Sequence, residues 1–395
     1  MISVEEASSI LHSKLLKTSI GTVPTTEATG KILGEVISVD RDLPPFNRAT
    51  MDGVAVAFQS LGKQNEFAIE SIQAAGEPQK KLTSKKNAIE IMTGAVLPEG
   101  ADTIIPYEHI SITNGMATLK NGLDIRQGQN IHQQGADALK GQIILQAGTK
   151  LSPAEIAVLA SVGKSHVLVY EFPSIAIVST GNELVDINET PLPHQLRKSN
   201  SYALQASLRE MGCQAALFHL PDDQSTLEKE LKQIVNQHQV VILSGGVSKG
   251  KFDFVPQVLE SIGIQKHFHQ VAQKPGKPFW FGSNENTFVF GLPGNPVSTY
   301  LCFYRYIKPW LYRSLGYSPS SESAILATDY IFNPSLTYFL QVAIKNERGT
   351  LRAYPKTGEG SGDFANLVEV DGFLELPQGR NEFKSNESLN FIRFR

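Results

Sequence analysis

The sequence predicts a multidomain α/β-plus-β protein: a central doubly wound α/β domain, an inserted β-rich domain and a small C-terminal β-barrel-like domain. Three observations carry this. From about Phe172 to Tyr317, fully apolar strand runs such as Ile175–Val178 and Val240–Leu243 alternate with helical stretches, as in a parallel sheet covered on both faces. From Thr50 to about Asp137, only short β-like runs occur, broken by Gly, Asn and Pro. The 395 residues exceed one ordinary core, so several domains are expected.

In chain order, Ser3 and Glu6 make a capping-box pattern, and Ala7, Ile10, Leu11 and Leu15 recur at helical spacing, predicting a helix to about Lys17. A strand-like run lies near Ile32 to Val39, and Asp42-Leu-Pro-Pro-Phe is a stiff hinge because each proline restricts itself and its predecessor. Strands are predicted at Val54–Phe58, Phe67–Ile72, Ala88–Ile91, Thr103–Pro106, His109–Ile112 and Ala117–Leu119. Ser152-Pro153-Ala154-Glu155 starts a helix that runs to Ser161 and stops at Gly163. This segment is expected beside the first helix, which makes 1–44 and 138–170 one discontinuous N-terminal domain around an insert at 45–137. The α/β domain spans 171–318, with helices at Asn200–Met211 and Leu227–Asn236 and a long one from Asn295-Pro296 through Trp310. Residues 319–395 read as short strands at Ser323–Ala327, Phe339–Lys345, Leu351–Tyr354, Leu367–Val370 and Leu389–Phe394.

Composition excludes several classes. With 41% hydrophobic and 19% charged residues the chain is globular and not disordered. A net charge of −3 argues against a nucleic-acid surface or a polybasic membrane anchor. Cys213 and Cys302 form neither a CxxC pair nor a disulfide framework, as in a reducing compartment. The N-terminus MISVEEASSILHSKLL is no signal peptide, and no apolar run is long enough to span a bilayer. A soluble cytoplasmic protein is expected.

The chemistry-bearing residues follow strands. Ile175–Val178 leads to Ser179-Thr180-Gly181-Asn182-Glu183, and Leu217–Leu220 to Pro221-Asp222-Asp223. Val240–Leu243 leads to Ser244-Gly245-Gly246-Val247-Ser248, with Lys249, Lys251 and Asp253 beyond. In open α/β sheets, ligands bind outside the carboxyl ends of the strands. Glycines there let backbone N–H groups approach an anion, and carboxylates there suit Mg²⁺. Lys274 and Lys277 of Lys-Pro-Gly-Lys-Pro add positive charge, and Pro293-Gly294-Asn295 closes the last strand. Together these suggest a Mg²⁺-dependent site for a phosphorylated or nucleotide-like ligand. Each item has a plain structural reading as well: a tight turn, a helix cap at Asp222-Asp223, a helix start at Gly-Asn-Pro, and solvated lysines. Co-location on one sheet edge favours the ligand. His267 and His269 share a strand face and read as strand surface more than as a metal pair. Walker A and HExxH patterns do not occur. The turns Pro44–Gly53 and Met92–Ala95, and Asp137 after Gly135-Ala136, are structural by composition alone.

The ordered blocks PPFNRATMDGVAV, MTGAVLPEGADTIIPYE, STGNEL, RKSNSYAL, PDD, SGGVSKGKFD, KPGKP and GLPGNPVS resemble the MoeA family of molybdopterin molybdenumtransferases, shared with the gephyrin E domain, over nearly the whole chain. The resemblance implies a molybdopterin-binding-like central domain and a dimerisation role for the N-terminal domain. It implies an enzyme that inserts molybdate into adenylylated molybdopterin with Mg²⁺ and releases AMP and molybdenum cofactor. It further implies a homodimer whose site lies between the α/β domain of one subunit and the β-rich domain of the other. Transient contact with the molybdopterin adenylyltransferase and with apo-molybdoenzymes is expected, and no nucleic acid or membrane. Asp52, Thr93, Asp137, Glu183, Asp222, Asp253 and Lys274 stand at the family's functional positions, and Ser361 lies in the related segment GEGSGDFANL. The catalytic group is then Asp52, Thr93, Asp137, Glu183 and Lys274. The metal group is Glu183, Asp222 and Asp253. The ligand-binding group is Thr180, Gly181, Ser244, Gly245, Gly246, Ser248, Lys277, Pro293, Gly294, Asn295 and Ser361.

The chain departs from the family pattern. Where the family usually reads Asn-Ile-Arg and then Gly-Glu-Asp, this chain has Asn130-Ile131-His132 and Gly135-Ala136-Asp137. The lysine usual four residues before Lys274 is Gln270. Losing a guanidinium and an ammonium weakens attraction for anions. The alternative function is a pterin- or nucleotide-binding scaffold with reduced or lost turnover. The retained acids favour the enzyme. A third reading, molybdopterin adenylylation, is opposed by the flanking β domains and the MDG block.

Overall fold

A computed structural model describes residues 1–247 and 254–395, in two compact units. The first comprises Met1–Gly34, Ala147–Ser152 and His166–Arg395, and the second Glu35–Gln146 and Pro153–Ser165.

The sheet at the centre of the first unit is set by period-two burial. In the strand Ile175–Thr180 every residue is buried. Ile175 and Ile177 face one core, and Ala176 and Val178 the other. Val240–Ser244 repeats this, with Val240 and Ile242 on the first face and Val241 and Leu243 on the second. Burial on both faces is what a run of continuous apolar residues requires. Ala215–Leu220, Ile175–Thr180, Val240–Ser244 and Phe288–Leu292 lie side by side in parallel, in that spatial order. Trp280–Ser283 and Gln265–His269 extend the sheet antiparallel, so it is mixed and not purely parallel. Numbered along the chain, the strand order is 2-1-3-6-5-4. The chain leaves strand 1 in one direction and reaches strand 3 on its other side, which makes a switch point where their carboxyl ends diverge. The helix Asn200–Glu210 covers the first face through Leu204 and Leu208. Gln224–Gln237, capped by the Asp223 carboxylate, covers the second through Leu227, Leu231, Ile234 and Val235.

The helix expected from Asn295 through Trp310 is three pieces: Pro296–Cys302, a π turn at Phe303–Ile307, and Lys308–Ser314. Pro309 explains the break, because it has no N–H to donate and its ring crowds the carbonyl four residues earlier. The first helix carries the predicted capping box and ends at Ser13, short of Lys17.

Residues after 319 close into a barrel. Glu322–Leu326, Thr337–Glu347, Thr350–Pro355, Gly372–Leu376 and Ser388–Arg393 pair in a ring, the long strand Thr337–Glu347 bonding both Thr350–Pro355 and Gly372–Leu376. The strand expected at Leu367–Val370 is instead part of the 3₁₀ turn Phe364–Val368, begun by the Asp363 side chain accepting from the Asn366 N–H. Gln273–Lys274 adds to the barrel in parallel with Thr337–Tyr338.

The second unit holds a six-stranded sheet in the order Thr103–Pro106, Gly53–Val56, Ala88–Ile91, Glu66–Gln73, Met116–Leu119, Ile110–Thr113. Beside it, Arg48–Ala49 pairs antiparallel with Ile131–His132. Among the described residues no helix is long and apolar enough to cross a membrane.

Candidate active site

The carboxyl ends of the four parallel strands run straight into polar turns. Thr180, Gly181, Glu183, Asp222, Gly245, Gly246, Lys274, Lys277, Pro293, Gly294, Asn295 and Ser361 all border one cleft of about 610 Å³ in the first unit. Gly245 has φ +99°, and a Cβ there would sit 2.9 Å from the Thr180 carbonyl oxygen, so no other residue fits the turn without strain.

Hydrogen bonds fix the walls. The Asn200 side chain donates to Ser244 Oγ at 2.8 Å and to the Gly294 carbonyl at 2.8 Å, tying two strand-end turns together. Ser244 itself is buried behind the cleft lining. Asn295 donates to Ser361 Oγ at 2.7 Å, which brings the C-terminal segment to the rim. Under the lysine loop, the fully buried Gln273 donates to the Gly276 carbonyl at 3.1 Å and accepts from the Tyr306 hydroxyl. Sequence reasoning passed over Asn200 as a site residue, Gln273 and Tyr306. Asn200 read as a helix start, and the other two carried no signal, because their partners are distant in the chain.

The cleft also holds groups without partners among the described residues. Thr180 Oγ1 is buried and has no hydrogen-bond partner among them. The carboxylates of Glu183 and Asp222 make no hydrogen bond or ion pair among the described residues, while the Asp222 backbone N–H donates to Asn182 Oδ1 at 3.1 Å and the Glu183 carbonyl accepts from the Leu196 N–H at 2.8 Å. Asp223 is the helix cap and is consumed by Thr226 and Ser225. Of the Asp-Asp pair, then, the first faces the cleft and the second starts the helix. Two free carboxylates beside two exposed lysines match Mg²⁺, which takes few protein oxygens and completes its shell with phosphate and water. Ser248 and Asp253 lie outside the described residues. Among the described residues no cluster of three or more His, Cys, Asp or Glu could hold a metal. His267 bonds Ser283 Oγ at 2.8 Å and His269 bonds the Val247 carbonyl at 2.7 Å, which occupies both rings in strand packing.

Asp52, Thr93 and Asp137 belong to the second unit. Asp52 accepts from the Thr93 N–H at 2.6 Å and its hydroxyl at 2.7 Å, and these bonds hold its carboxyl below the usual range. Gly53 is required because a Cβ would lie 2.0 Å from the Ile105 carbonyl oxygen. Asp137 Oδ1 is 2.9 Å from His132 Nε2, and His132 Nδ1 is 3.2 Å from Arg48 Nη2.

Over 396 aligned residues the chain is 39% identical to the molybdopterin molybdenumtransferase of Synechocystis sp., covering 99% of each. The chain belongs to that family. Three family models match in order: the MoeA N-terminal region (domain I and II) at 2–163, a probable molybdopterin binding domain at 176–313, and the MoeA C-terminal region (domain IV) at 323–394. The Haemophilus influenzae molybdopterin molybdenumtransferase is 31% identical over 407 residues, covering 100% of this chain and 99% of the relative. The crystal structure of the Pyrococcus horikoshii molybdopterin biosynthesis MoeA protein superposes with a TM-score of 0.83 at 29% identity, covering 100% and 99% of the two chains. The MoeA architecture predicted from the sequence, with its central α/β domain, β-rich domain and C-terminal barrel, is thus the one this transferase family has.

Proposed function

We propose that this member of the family transfers molybdenum from molybdate into adenylylated molybdopterin and releases AMP, with Mg²⁺ as the activating ion. The observation that carries the reading is the cleft at the switch point. It offers two carboxylates and a buried hydroxyl that have no partner among the described residues, and two exposed lysines around glycine turns. Glu183 and Asp222, with Asp253 by its position in the sequence, would hold the cation, and a bound Mg²⁺ would supply positive charge against the phosphoanhydride oxygens. Lys274 and Lys277 neutralise phosphate oxygens, and the Gly245-Gly246 turn lets backbone approach them closely. Asp52, Thr93 and Asp137 serve the metal-insertion side. A homodimer places the second unit of one subunit against the cleft of its partner in this reading. The adenylyltransferase that makes the substrate and the apo-enzymes that take the product are its transient partners.

The test is incubation of purified protein with adenylylated molybdopterin, Mg²⁺ and molybdate, following AMP by chromatography. Molybdate- and Mg²⁺-dependent AMP release is expected, and Asp222→Ala should abolish it while the circular dichroism stays native. The substitutions at His132, Ala136 and Gln270 favour a second reading, a binding scaffold. Tight binding of the adenylylated pterin without AMP release would establish the scaffold instead.

A further inference from the structure

We propose that Arg48, held by His132 that is itself tied to Asp137, is the cation with which the second unit binds an oxyanion group of the substrates. The inference deepens the transferase reading and rests on it. A guanidinium only donates, so the 3.2 Å contact requires His132 Nδ1 to accept from Arg48. The ring proton then sits on Nε2 and is donated to Asp137 Oδ1 at 2.9 Å. His132 is therefore a positioning residue here, bridging Arg48 and Asp137, and the permanent positive charge at this place is the Arg48 guanidinium.

The backbone register explains how the charge came to lie there. Arg48 and His132 are directly opposed in the antiparallel pair formed by Arg48–Ala49 and Ile131–His132. Opposed residues share a face, with Cβ atoms roughly 4.5–5.5 Å apart. A guanidinium rooted at either position reaches the same space. The family pattern roots it at the position of His132, and this chain roots it across the ladder.

The same short strand gathers the unit's other polar residues. Ala49 donates to the Ala95 carbonyl at 3.0 Å and accepts from Gly94 at 2.9 Å, beside Thr93. Thr50 donates to the Asn130 carbonyl at 3.0 Å. Arg48 is exposed, and among the described residues its one hydrogen bond is to His132, so its remaining N–H groups face solvent. A planar fork of donors, oriented by a ring held at both ends, suits a tetrahedral oxyanion. Molybdate and the phosphoryl groups of the pterin substrate share that chemistry.

The experiment uses the full chain and varies each substrate separately at saturating levels of the other. Arg48→Ala should raise the half-saturating concentration of one substrate by about ten- to 150-fold, the loss of a well-formed charge-assisted bond. A shift in the molybdate arm identifies molybdate, and a shift in the pterin arm identifies a phosphoryl group. Arg48→Lys should recover part of the loss, because the charge returns without the fork. The reciprocal exchange, Arg48→His with His132→Arg, should recover most of it. Unchanged half-saturation in both arms of folded Arg48→Ala overturns the proposal, as does an exchange variant no better than Arg48→Ala. Titration calorimetry with sodium molybdate and with inorganic pyrophosphate at low salt gives a readout that does not need turnover. If the parent releases no AMP, the transferase reading fails on its own. Arg48 is then judged by whether Arg48→Ala weakens either calorimetric affinity; no weakening overturns it.

Discussion

Asp52 is kept ionised by hydrogen bonds and not by burial. The Thr93 N–H is the larger cause of its lowered pKa and the Thr93 hydroxyl the second. A depressed carboxyl stabilises the fold at pH above its unfolded value, roughly 4, and loses that contribution as pH falls through the folded value. Thr93→Val deletes the hydroxyl and keeps the N–H, so the Asp52 midpoint should rise part of the way to normal, read by carboxyl-carbon NMR. An unmoved midpoint would show that the hydroxyl does not matter. Next to it, Gly53→Ala forces a Cβ onto the Ile105 carbonyl. Overpacking of this kind costs about 1–3 kcal/mol, so its thermal unfolding should come earlier and AMP release should fall with it. From sequence, Gly53 was only a turn glycine, because the carbonyl that excludes a side chain belongs to a strand some fifty residues on. His132 was legible as a departure from the family. Its meaning was not, because the compensating Arg48 is identified only by strand register.

The elements that carry the cleft were largely readable, since their signals are local. Continuous apolar runs marked the parallel strands, and Ser3 with Glu6 marked the first helix, where both capping-box bonds form. What was not readable is how a loop is held. The lysine loop rests on Gln273, fully buried, whose side-chain oxygen accepts from Tyr306 in the π turn. Tyr306→Phe leaves that oxygen buried without a donor, which costs about 1–3 kcal/mol. Denaturant midpoints should fall by a corresponding amount. The half-saturating concentration of the pterin substrate should rise more than turnover drops, because Lys274 and Lys277 lose their support. A stable variant with unchanged kinetics would show that the loop holds itself. The antiparallel edge of the sheet and the 3₁₀ turn at Phe364–Val368 escaped for a related reason: strand direction and short turns follow from tertiary pairing, which single-sequence periodicity does not contain.

At the scale of the whole molecule, the proposed residues fall into one set per unit, which gives the homodimer proposal a direct test. Asp52→Ala and Asp222→Ala proteins, each inactive, should regain about a quarter of parental activity when their subunits are reassorted: half the dimers are mixed, and each mixed dimer has one intact site. Confirmed mixed dimers without rescue would remove the shared site. The barrel bears on a different question. Its longest strand begins by pairing with Gln273–Lys274, and Phe339 and Phe373 share a core with Trp310 and Phe303. Ending the chain after Ser318 should therefore yield insoluble protein and not a soluble α/β domain, as fractionation after expression would show. Considered as inheritance, this makes the C-terminal barrel a poor candidate for shuffling. A gene rearrangement that dropped it would leave Gln273–Lys274 unpaired and uncover an aromatic surface together, and an ancestor that lived as the α/β domain alone must have satisfied both in some other way.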